Sequence, residues 1–280
     1  MFSRLLKHEW RSSSGLLTIL SLCALGVGLL GGGLLRAITY LSQKMEDNPL
    51  ASLTLSGLSS IMTFVVLALV AYVLAVQFIT VFRFYKNKFT DEGYLTFTLP
   101  VSVQQIFLSS FLNILIWLVI SVVVLLISGG LIIFLGDGQN ALDSLRIILY
   151  SIDSLKEVYP SIPGFGWFIV LGILQVIVAP VYAIVLLMTS ITLGCVLAKK
   201  HKILATIGVC YGIHMVVGVL ESVISIFPAI SLLAWNTNEE AQFLQWLCQS
   251  MGLSVLLQLG LAVGGYFLST WLMEHKLNLP

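Results

Sequence analysis

Charged residues are scarce in this chain: only 10% of its 280 residues are Asp, Glu, Lys or Arg, whereas 58% are hydrophobic. Soluble domains carry roughly 25% charged residues, so the composition excludes an ordinary soluble domain. The formal net charge is +1, which leaves no excess of basic residues for binding nucleic acid. We therefore expect an integral membrane protein in contact with the lipid bilayer and with no nucleic-acid partner.

Motifs for covalent chemistry are also lacking. The chain contains no phosphate-binding P-loop, no H-E-x-x-H zinc motif, no G-x-S-x-G nucleophile elbow and no C-x-x-C pair. The spacing of the cysteines is not typical of a metal site or a redox pair; they are Cys23, Cys195, Cys210 and Cys248. We predict no catalytic residue, no metal site and no cofactor site in this chain, and we interpret the cysteines as packing residues.

Long uncharged runs are what the sequence contains instead. They cover residues 12–35, 48–82, 93–136, 158–198 and 241–273, and a further run, 203–238, is interrupted only by Glu221. Each is at least as long as the roughly 20 residues that cross a bilayer. Leucine, isoleucine and valine fill them without the alternation of a membrane β-barrel. The sequence predicts an all-α integral membrane protein with six transmembrane helices, near residues 16–35, 61–82, 111–135, 167–197, 203–227 and 252–272.

The basic residues indicate which side of the membrane each segment faces. If the six spans alternate in direction, one side receives ten of the 14 Lys and Arg residues, and the positive-inside rule assigns that side to the cytoplasm. The ten are Arg4, Lys7, Arg11, Arg83, Lys86, Lys88, Lys199, Lys200, Lys202 and Lys276. We expect both termini in the cytosol, with outer loops at 136–165 and 228–248.

The first residues, 1–14, have the pattern of an amphipathic helix. Apolar residues repeat at helical spacing and basic residues lie mostly on the other face; the apolar set is Phe2, Leu5, Leu6 and Trp10. This pattern predicts an interfacial helix before the first span. The alternative is an ordinary positively charged flank of that span.

Residues 83–105 form a predicted cytoplasmic elbow between the second and third spans. The second helix is expected to continue along a face made of Phe82, Tyr85 and Phe89. Pro100 disfavours helix at the residue before it, and Ser102 followed three residues later by Gln105 is a capping box. The third helix is therefore expected to begin in the cytoplasm, just after Ser102.

The elbow is unusually aromatic and charged, as its sequence RFYKNKFTDEGYLTFTLPVS shows. We expect Thr90 to cap a new turn, with Asp91 and Glu92 favourable at its start. Exposed aromatic rings surrounded by both signs of charge indicate a contact with another protein; the rings are Phe84, Tyr85, Phe89, Tyr94 and Phe97. The alternative is an aromatic belt at the lipid headgroups.

This stretch resembles the cytoplasmic elbow of bacterial ATP-binding-cassette (ABC) permeases of the ABC2 export class. The closing KLNLP, and the opening helix with KHEW before the first span, are similar to the ends of such chains. The resemblance covers the six-span layout, and its specific part is the 20 residues from Arg83 to Ser102.

In that family a coupling helix in the elbow docks on a separate cytosolic ATPase, and two permease subunits enclose the transport path. The resemblance implies a single permease domain, residues 1–280, in the bacterial cytoplasmic membrane, with ATP and Mg²⁺ on two copies of the partner ATPase. It leaves open whether the second permease subunit is an identical copy or a paralogue, and whether the cargo is a drug, an antimicrobial peptide or a lipid. The residues it implies at the ATPase interface are Tyr85, Lys86, Lys88, Phe89, Asp91, Glu92 and Tyr94.

Two ionisable residues lie inside the predicted fifth span. His214 and Glu221 are seven residues apart, and so on nearly the same helical face. An acid near a helix centre costs roughly 2.5–3.5 kcal/mol to insert. One interpretation is a proton relay or a substrate contact in a transport pathway, and the other is a structural or cavity-lining role.

Other polar and small residues predict contacts between helices. Three G-x-x-x-G pairs permit close helix approach: Gly28/Gly32, Gly208/Gly212 and Gly260/Gly264. We interpret four amide side chains as interhelical hydrogen-bonding groups: Gln77, Asn113, Gln175 and Gln258. Besides the permease, two functions stay open, namely a non-transporting scaffold or sensor that recruits a cytosolic partner and a proton-coupled secondary transporter that uses Glu221.

Overall fold

A computed structural model of the chain describes residues 2–44, 49–90, 93, 98, 100–136, 142–143, 146–147, 150, 165–198, 201–233 and 239–276. Within these ranges it forms six long α-helices and no β-strand. They are α1 (Phe2–Lys44), α2 (Pro49–Phe89), α3 (Val103–Gly136), α4 (Phe165–Leu197), α5 (Lys202–Leu233) and α6 (Glu239–His275).

All six helices are long and apolar enough to cross a bilayer. The shortest, α5, has 32 residues, which is about 48 Å of helix against a hydrocarbon core of about 30 Å. Large apolar side chains such as Leu30, Phe64 and Val176 are exposed, as expected of helices that are apolar on most sides and meet lipid. The prediction of an all-α protein with six helices able to span a membrane is confirmed for the described residues.

α1 runs without a break from Phe2 to Lys44, so residues 2–14 belong to the same helix as the first predicted span. The serines at the predicted junction do not interrupt it. The Ser13 hydroxyl donates to Glu9 O at 3.0 Å, and the Ser14 hydroxyl donates to Arg11 O at 3.3 Å. Such bonds to the preceding turn keep serine compatible with a helix, which is why no boundary separates the amphipathic segment from the span.

The predicted outer loop 228–248 is much shorter in the structure. α5 continues to Leu233 and α6 begins at Glu239. The segment EEAQFLQ at the start of α6 is rich in residues of high helix propensity. Its two glutamates end an uncharged run, so a boundary drawn from charge alone places the segment in the loop. In the predicted loop 136–165, the described residues 142–143, 146–147 and 150 are helical, and most others lie outside the described part.

The chain divides into two compact units. The first, called here the α1 unit, comprises Ser3–Thr80 and Ile116–Ser154. The second, the α4–α6 unit, comprises Met1–Phe2, Val81–Leu115 and Leu155–Pro280. The predicted elbow therefore belongs to the same unit as the last three helices.

Aromatic stacking and hydrogen bonds join α1 to α2 and α3 in the α1 unit. The rings of Trp10 and Trp117 stack with centroids 4.9 Å apart, and the Trp117 indole N–H donates to Ser13 Oγ at 3.1 Å. The hydroxyl oxygens of Ser21 and Tyr72 are 2.9 Å apart. Because Trp117 is 1% exposed, its N–H would be costly to bury without this acceptor.

Glycines at one of the predicted pairs let α1 approach α3 closely. A Cβ at Gly28 would lie 2.8 Å from Ser128 Cβ, and one at Gly32 would lie 2.7 Å from Leu135 Cβ. The Ser128 hydroxyl donates to Ala24 O at 3.3 Å across the same contact. The first G-x-x-x-G prediction is thus confirmed as an intramolecular packing site.

Buried hydroxyls join α4 to α6 in the α4–α6 unit. The Thr189 hydroxyl donates to Gly265 O at 3.2 Å, and the Ser269 hydroxyl donates to Thr189 Oγ1 at 3.0 Å. A Cβ at Gly265 would lie 2.9 Å from Thr189 Oγ1, so a glycine is needed for this approach. α5 packs against both helices, and at its start Thr206 approaches Gly194 of α4 so closely that a Cβ there would be 2.5 Å from Thr206 Cα.

Candidate functional site

The predicted elbow begins with the last turns of α2. The helix continues to Phe89, seven residues past its predicted membrane boundary at Phe82. The Thr90 hydroxyl donates to Lys86 O at 2.5 Å. Thr90 therefore closes the last turn of α2. Its carbonyl oxygen also accepts from the backbone N–H of Gly93 at 2.8 Å, in keeping with the prediction that Thr90 caps a new turn.

The start of α3 follows the prediction. The helix begins at Val103, and the backbone N–H of Gln105 donates to Ser102 Oγ at 3.4 Å and to Ser102 O at 3.0 Å. Ser102 is thus the N-cap, because its hydroxyl accepts from one of the N–H groups that a helix start leaves unpaired.

The predicted interface residues at the end of α2 differ in how exposed they are. Tyr85 is partly exposed and Lys86 is exposed. In contrast, Phe89 is 1% exposed and Lys88 is 3% exposed. The expectation of exposed aromatic rings is therefore wrong for Phe89, and also for Phe84, which is buried. The remaining predicted interface residues, Asp91, Glu92 and Tyr94, lie outside the described residues.

A chain of aromatic rings explains why this face of α2 is buried. The ring of Phe84 makes edge-to-face contacts with Phe89 at 5.6 Å and with Phe107 of α3 at 6.3 Å between centroids. Phe107 makes the same kind of contact with Tyr266 of α6 at 5.5 Å. Each such pair stabilises by about 0.5–1.5 kcal/mol beyond the burial of its area. The rings therefore attach the end of α2 to α3 and α6.

A lysine from α5 completes the attachment. Lys202 Nζ donates to Phe89 O at 3.2 Å. That carbonyl belongs to the last residue of α2, where a helix has unpaired C=O groups and a partial negative charge. In the sequence, Lys202 is one of ten predicted cytoplasmic charges, and no local signal could show its role at α2, since 113 residues separate the two partners.

A second polar site lies between α4, α5 and α6. Gln175 Nε2 donates to Gln258 Oε1 at 3.1 Å, and Gln258 Nε2 donates to Glu221 Oε1 at 3.5 Å. One residue comes from each helix, and Gln258 is 7% exposed. The predicted interhelical role of Gln175 and Gln258 is confirmed, and their partnership with Glu221 is a finding of the structure.

The other predicted pathway residue, His214, is not connected to this site by any interaction of the described residues. Its side chain is exposed, and its Nδ1 lies 2.8 Å from Cys210 O, one turn back on the same helix. Although His214 and Glu221 are on similar faces of α5, only Glu221 has a side-chain hydrogen bond to a neighbouring helix among the described residues. No direct hydrogen bond joins the two side chains.

The geometry offsets part of the cost of placing Glu221 in a span. Insertion costs roughly 2.5–3.5 kcal/mol near a helix centre, and a hydrogen bond to a charged group contributes about 1.5–3 kcal/mol when it is short and well aligned. At 3.5 Å the bond from Gln258 is long, so its contribution lies at or below the lower end of that range. The site is thus a polar one that the three helices only partly satisfy.

In the described part of the chain, no group of three or more His, Cys, Asp or Glu residues is placed to hold a metal ion. None of the four cysteines forms a disulfide. Cys195 is buried with its sulfur 3.8 Å from Thr206 Oγ1, in keeping with a packing role, whereas Cys23 is exposed.

Comparison of the chain with family models, with curated proteins and with solved structures finds no match in any of the three.

Proposed function

We propose that this chain is the membrane-spanning permease subunit of an ATP-driven exporter, and that a separate cytosolic ATPase of the ABC type engages the end of α2. The observation that carries the proposal is the mixed exposure of this helix end. Phe84 and Phe89 are buried, whereas Tyr85 is partly exposed and Lys86 is exposed. A helix end that is packed through some side chains and accessible through others suits a docking element that transmits force.

We call the accessible residues Tyr85 and Lys86 the docking face. The contacts on the buried side of this helix end favour the transmission of force to other helices over a local distortion of α2. A push on Tyr85 or Lys86 meets a helix end that is held by Phe84, by Phe107 and by Lys202. Packed interiors resist compression and respond by moving as bodies. A displacement of this helix end would therefore be passed to residues 103–115 of α3 and to α5 and α6, which belong to the same compact unit.

The division of labour follows from the chemistry available in this chain. With no phosphate-binding loop in its sequence, it would leave ATP and Mg²⁺ to the partner and would supply the transport path. The resemblance of the elbow to ABC2-class permeases supplies the number of subunits, two ATPases and two permeases. Both termini of this chain would lie on the cytoplasmic side of the membrane, where the ATPases bind. Residues 2–14, which are continuous with the rest of α1, would form the cytoplasmic end of that helix.

The test is purification of the tagged chain from its native host in mild detergent, with mass spectrometry of the associated proteins and an assay of vanadate-sensitive ATP hydrolysis. We expect a stoichiometric cassette ATPase. Lys86→Glu should reduce its recovery, because it reverses an exposed charge on the docking face. Arg36→Glu is the matched control, since Arg36 is also exposed on a helix but is predicted to face the outside.

Two other outcomes would indicate a different function, and a third would exclude the end of α2 as the docking face. Recovery of a partner that has no phosphate-binding loop would indicate a scaffold or sensor. Recovery of no partner after gentle crosslinking, together with transport driven by a proton gradient alone, would indicate a secondary transporter. Equal loss of the ATPase in both charge reversals would show that the end of α2 is not the docking face.

A further inference from the structure

We propose that Glu221, Gln258 and Gln175 form a binding site for a monovalent cation, either an inorganic ion or the protonated amine of an amphipathic molecule. The site is separate from the docking face at the end of α2, and it does not depend on whether an ATPase binds there. Its three side chains come from α5, α6 and α4, and are joined by the hydrogen bonds at 3.5 Å and 3.1 Å.

The direction of these hydrogen bonds points to a negative site. Gln175 donates to Gln258, and Gln258 donates to Glu221, so both amide dipoles are oriented to favour negative charge at the carboxylate. Hydrogen bonds in such a chain polarise one another. The group that contacts Glu221 is an amide N–H donor of Gln258, which is neutral and leaves the charge of a carboxylate uncompensated.

Within the described ranges, the three helices bring no Lys or Arg close to Glu221. α4 and α6 contain neither, and the single one in α5 is Lys202. Nineteen residues separate Lys202 from Glu221, which is about 28 Å along the helix. The Nδ1 atom of His214 lies at Cys210 O. A charge in a membrane span is normally paired, and a bound cation would supply that partner.

A second observation indicates that the site is incomplete without a ligand. Gln175 Oε1 is buried and has no hydrogen-bond partner among the described residues. Buried amide oxygens are rarely left without a partner. The chain thus has a carboxylate at one end and an unpaired amide oxygen at the other, and both are acceptors of the kind that take a hard monovalent ion or an ammonium group.

The position of Glu221 along α5 suits a ligand that enters from one side of the membrane. Glu221 lies about 28 Å from the start of α5 and about 18 Å from its end at Leu233. The side chain is partly exposed. A cation that arrives from the C-terminal end of α5 therefore has the shorter path to it.

The experiment uses the purified full-length chain in lipid nanodiscs without any ATPase. Binding is followed by thermal unfolding, detected by tryptophan fluorescence, in titrations with NaCl, with octylammonium chloride and with n-octanol as the uncharged counterpart, all at constant ionic strength. We expect saturable stabilisation by at least one of the two cations and none by n-octanol beyond a linear solvent effect.

Variants assign the effect to the site. Glu221→Gln keeps the shape and removes the charge, and should weaken cation binding at least about 30-fold, as expected for loss of one partner of a charge pair. Gln258→Leu should weaken it less, because only the positioning amide is lost. Glu221→Asp keeps the charge and should retain binding. Ser222→Ala is the control, since Ser222 is the exposed neighbour whose hydroxyl donates to Gly218 O of its own helix.

The outcomes distinguish an inorganic ion, the amine of an amphipathic molecule, and the absence of a cation site. Stabilisation by NaCl indicates an inorganic ion, and stabilisation by octylammonium alone indicates the amine of an amphipathic cargo. If neither cation stabilises the chain saturably, or if Glu221→Gln binds as well as the wild type, the proposal is overturned. Because no ATPase is present, either result is independent of the docking experiment.

Discussion

Replacing Phe89 with alanine should destabilise the α4–α6 unit strongly, because the ring is 1% exposed and contacts Phe84 edge to face. Removal of a buried phenylalanine ring costs about 3–5 kcal/mol, and this range includes the edge-to-face contribution of about 0.5–1.5 kcal/mol. The bond from Lys202 would not be deleted directly, since it is accepted by the backbone carbonyl. We therefore expect a loss of about 3–4 kcal/mol.

Two further variants calibrate this value. Phe89→Leu keeps most of the apolar volume and should cost less than about 1.5 kcal/mol. Phe82→Ala removes the same ring from a position that is 46% exposed on the same helix, and should cost less than about 1 kcal/mol. The comparison between Phe89 and Phe82 removes the contribution of residue type and of helix propensity.

The assay is reversible unfolding of the purified chain in mixed micelles, titrated with a denaturing detergent and followed by tryptophan fluorescence. Hydrogen exchange at residues 81–90 should accelerate in Phe89→Ala and stay close to wild type in Phe82→Ala. Equal losses of stability in the two alanine variants would refute the reasoning, since they would mean that the ring of Phe89 is not in a packed interior. In that case Phe89 would return to the set of residues available for a partner.

Two other predictions follow from single contacts. Gly28→Ala should destabilise the α1 unit by about 1–3 kcal/mol, because its Cβ would lie 2.8 Å from Ser128 Cβ. Gly260→Ala is the control: its Cβ would meet nothing within 4 Å, so the change should be neutral or stabilising. Unfolding titrations of both variants test this, and equal effects would contradict it. Lys202→Met should cost about 1 kcal/mol by removing the donor to Phe89 O and should speed hydrogen exchange at the end of α2, and unchanged exchange there would argue against the bond.

Some features of this chain are decided by neighbouring residues and could be predicted. Uncharged runs longer than a bilayer crossing specify helices, because the backbone must satisfy its own hydrogen bonds wherever water is excluded. The start of α3 is equally local: a hydroxyl at Ser102 caps an N–H three residues away. The continuation of α2 to Phe89 followed from the spacing of its aromatic residues.

The glycine pairs show that local spacing does not predict contacts between helices. Three pairs share the same spacing, yet only Gly28 and Gly32 are pressed against another helix. At Gly208, Gly212, Gly260 and Gly264 an added Cβ would meet nothing within 4 Å. Spacing specifies which glycines share a helical face, but which face meets a neighbour depends on how the helices pack.

The contacts of the two candidate sites could not be predicted for the same reason, since they too depend on how the helices pack. From its composition and periodicity the sequence determined an all-α chain with six apolar helices, an aromatic stretch after the second and an acid within the fifth. Only the tertiary structure decided that Phe89 is buried, that Lys202 binds the end of α2, and that Glu221 meets amides from two other helices. The reason is physical: helix formation and capping depend on groups within about four residues of one another. Burial, in contrast, depends on contacts between helices far apart in the chain, and a single helix carries no record of its neighbours.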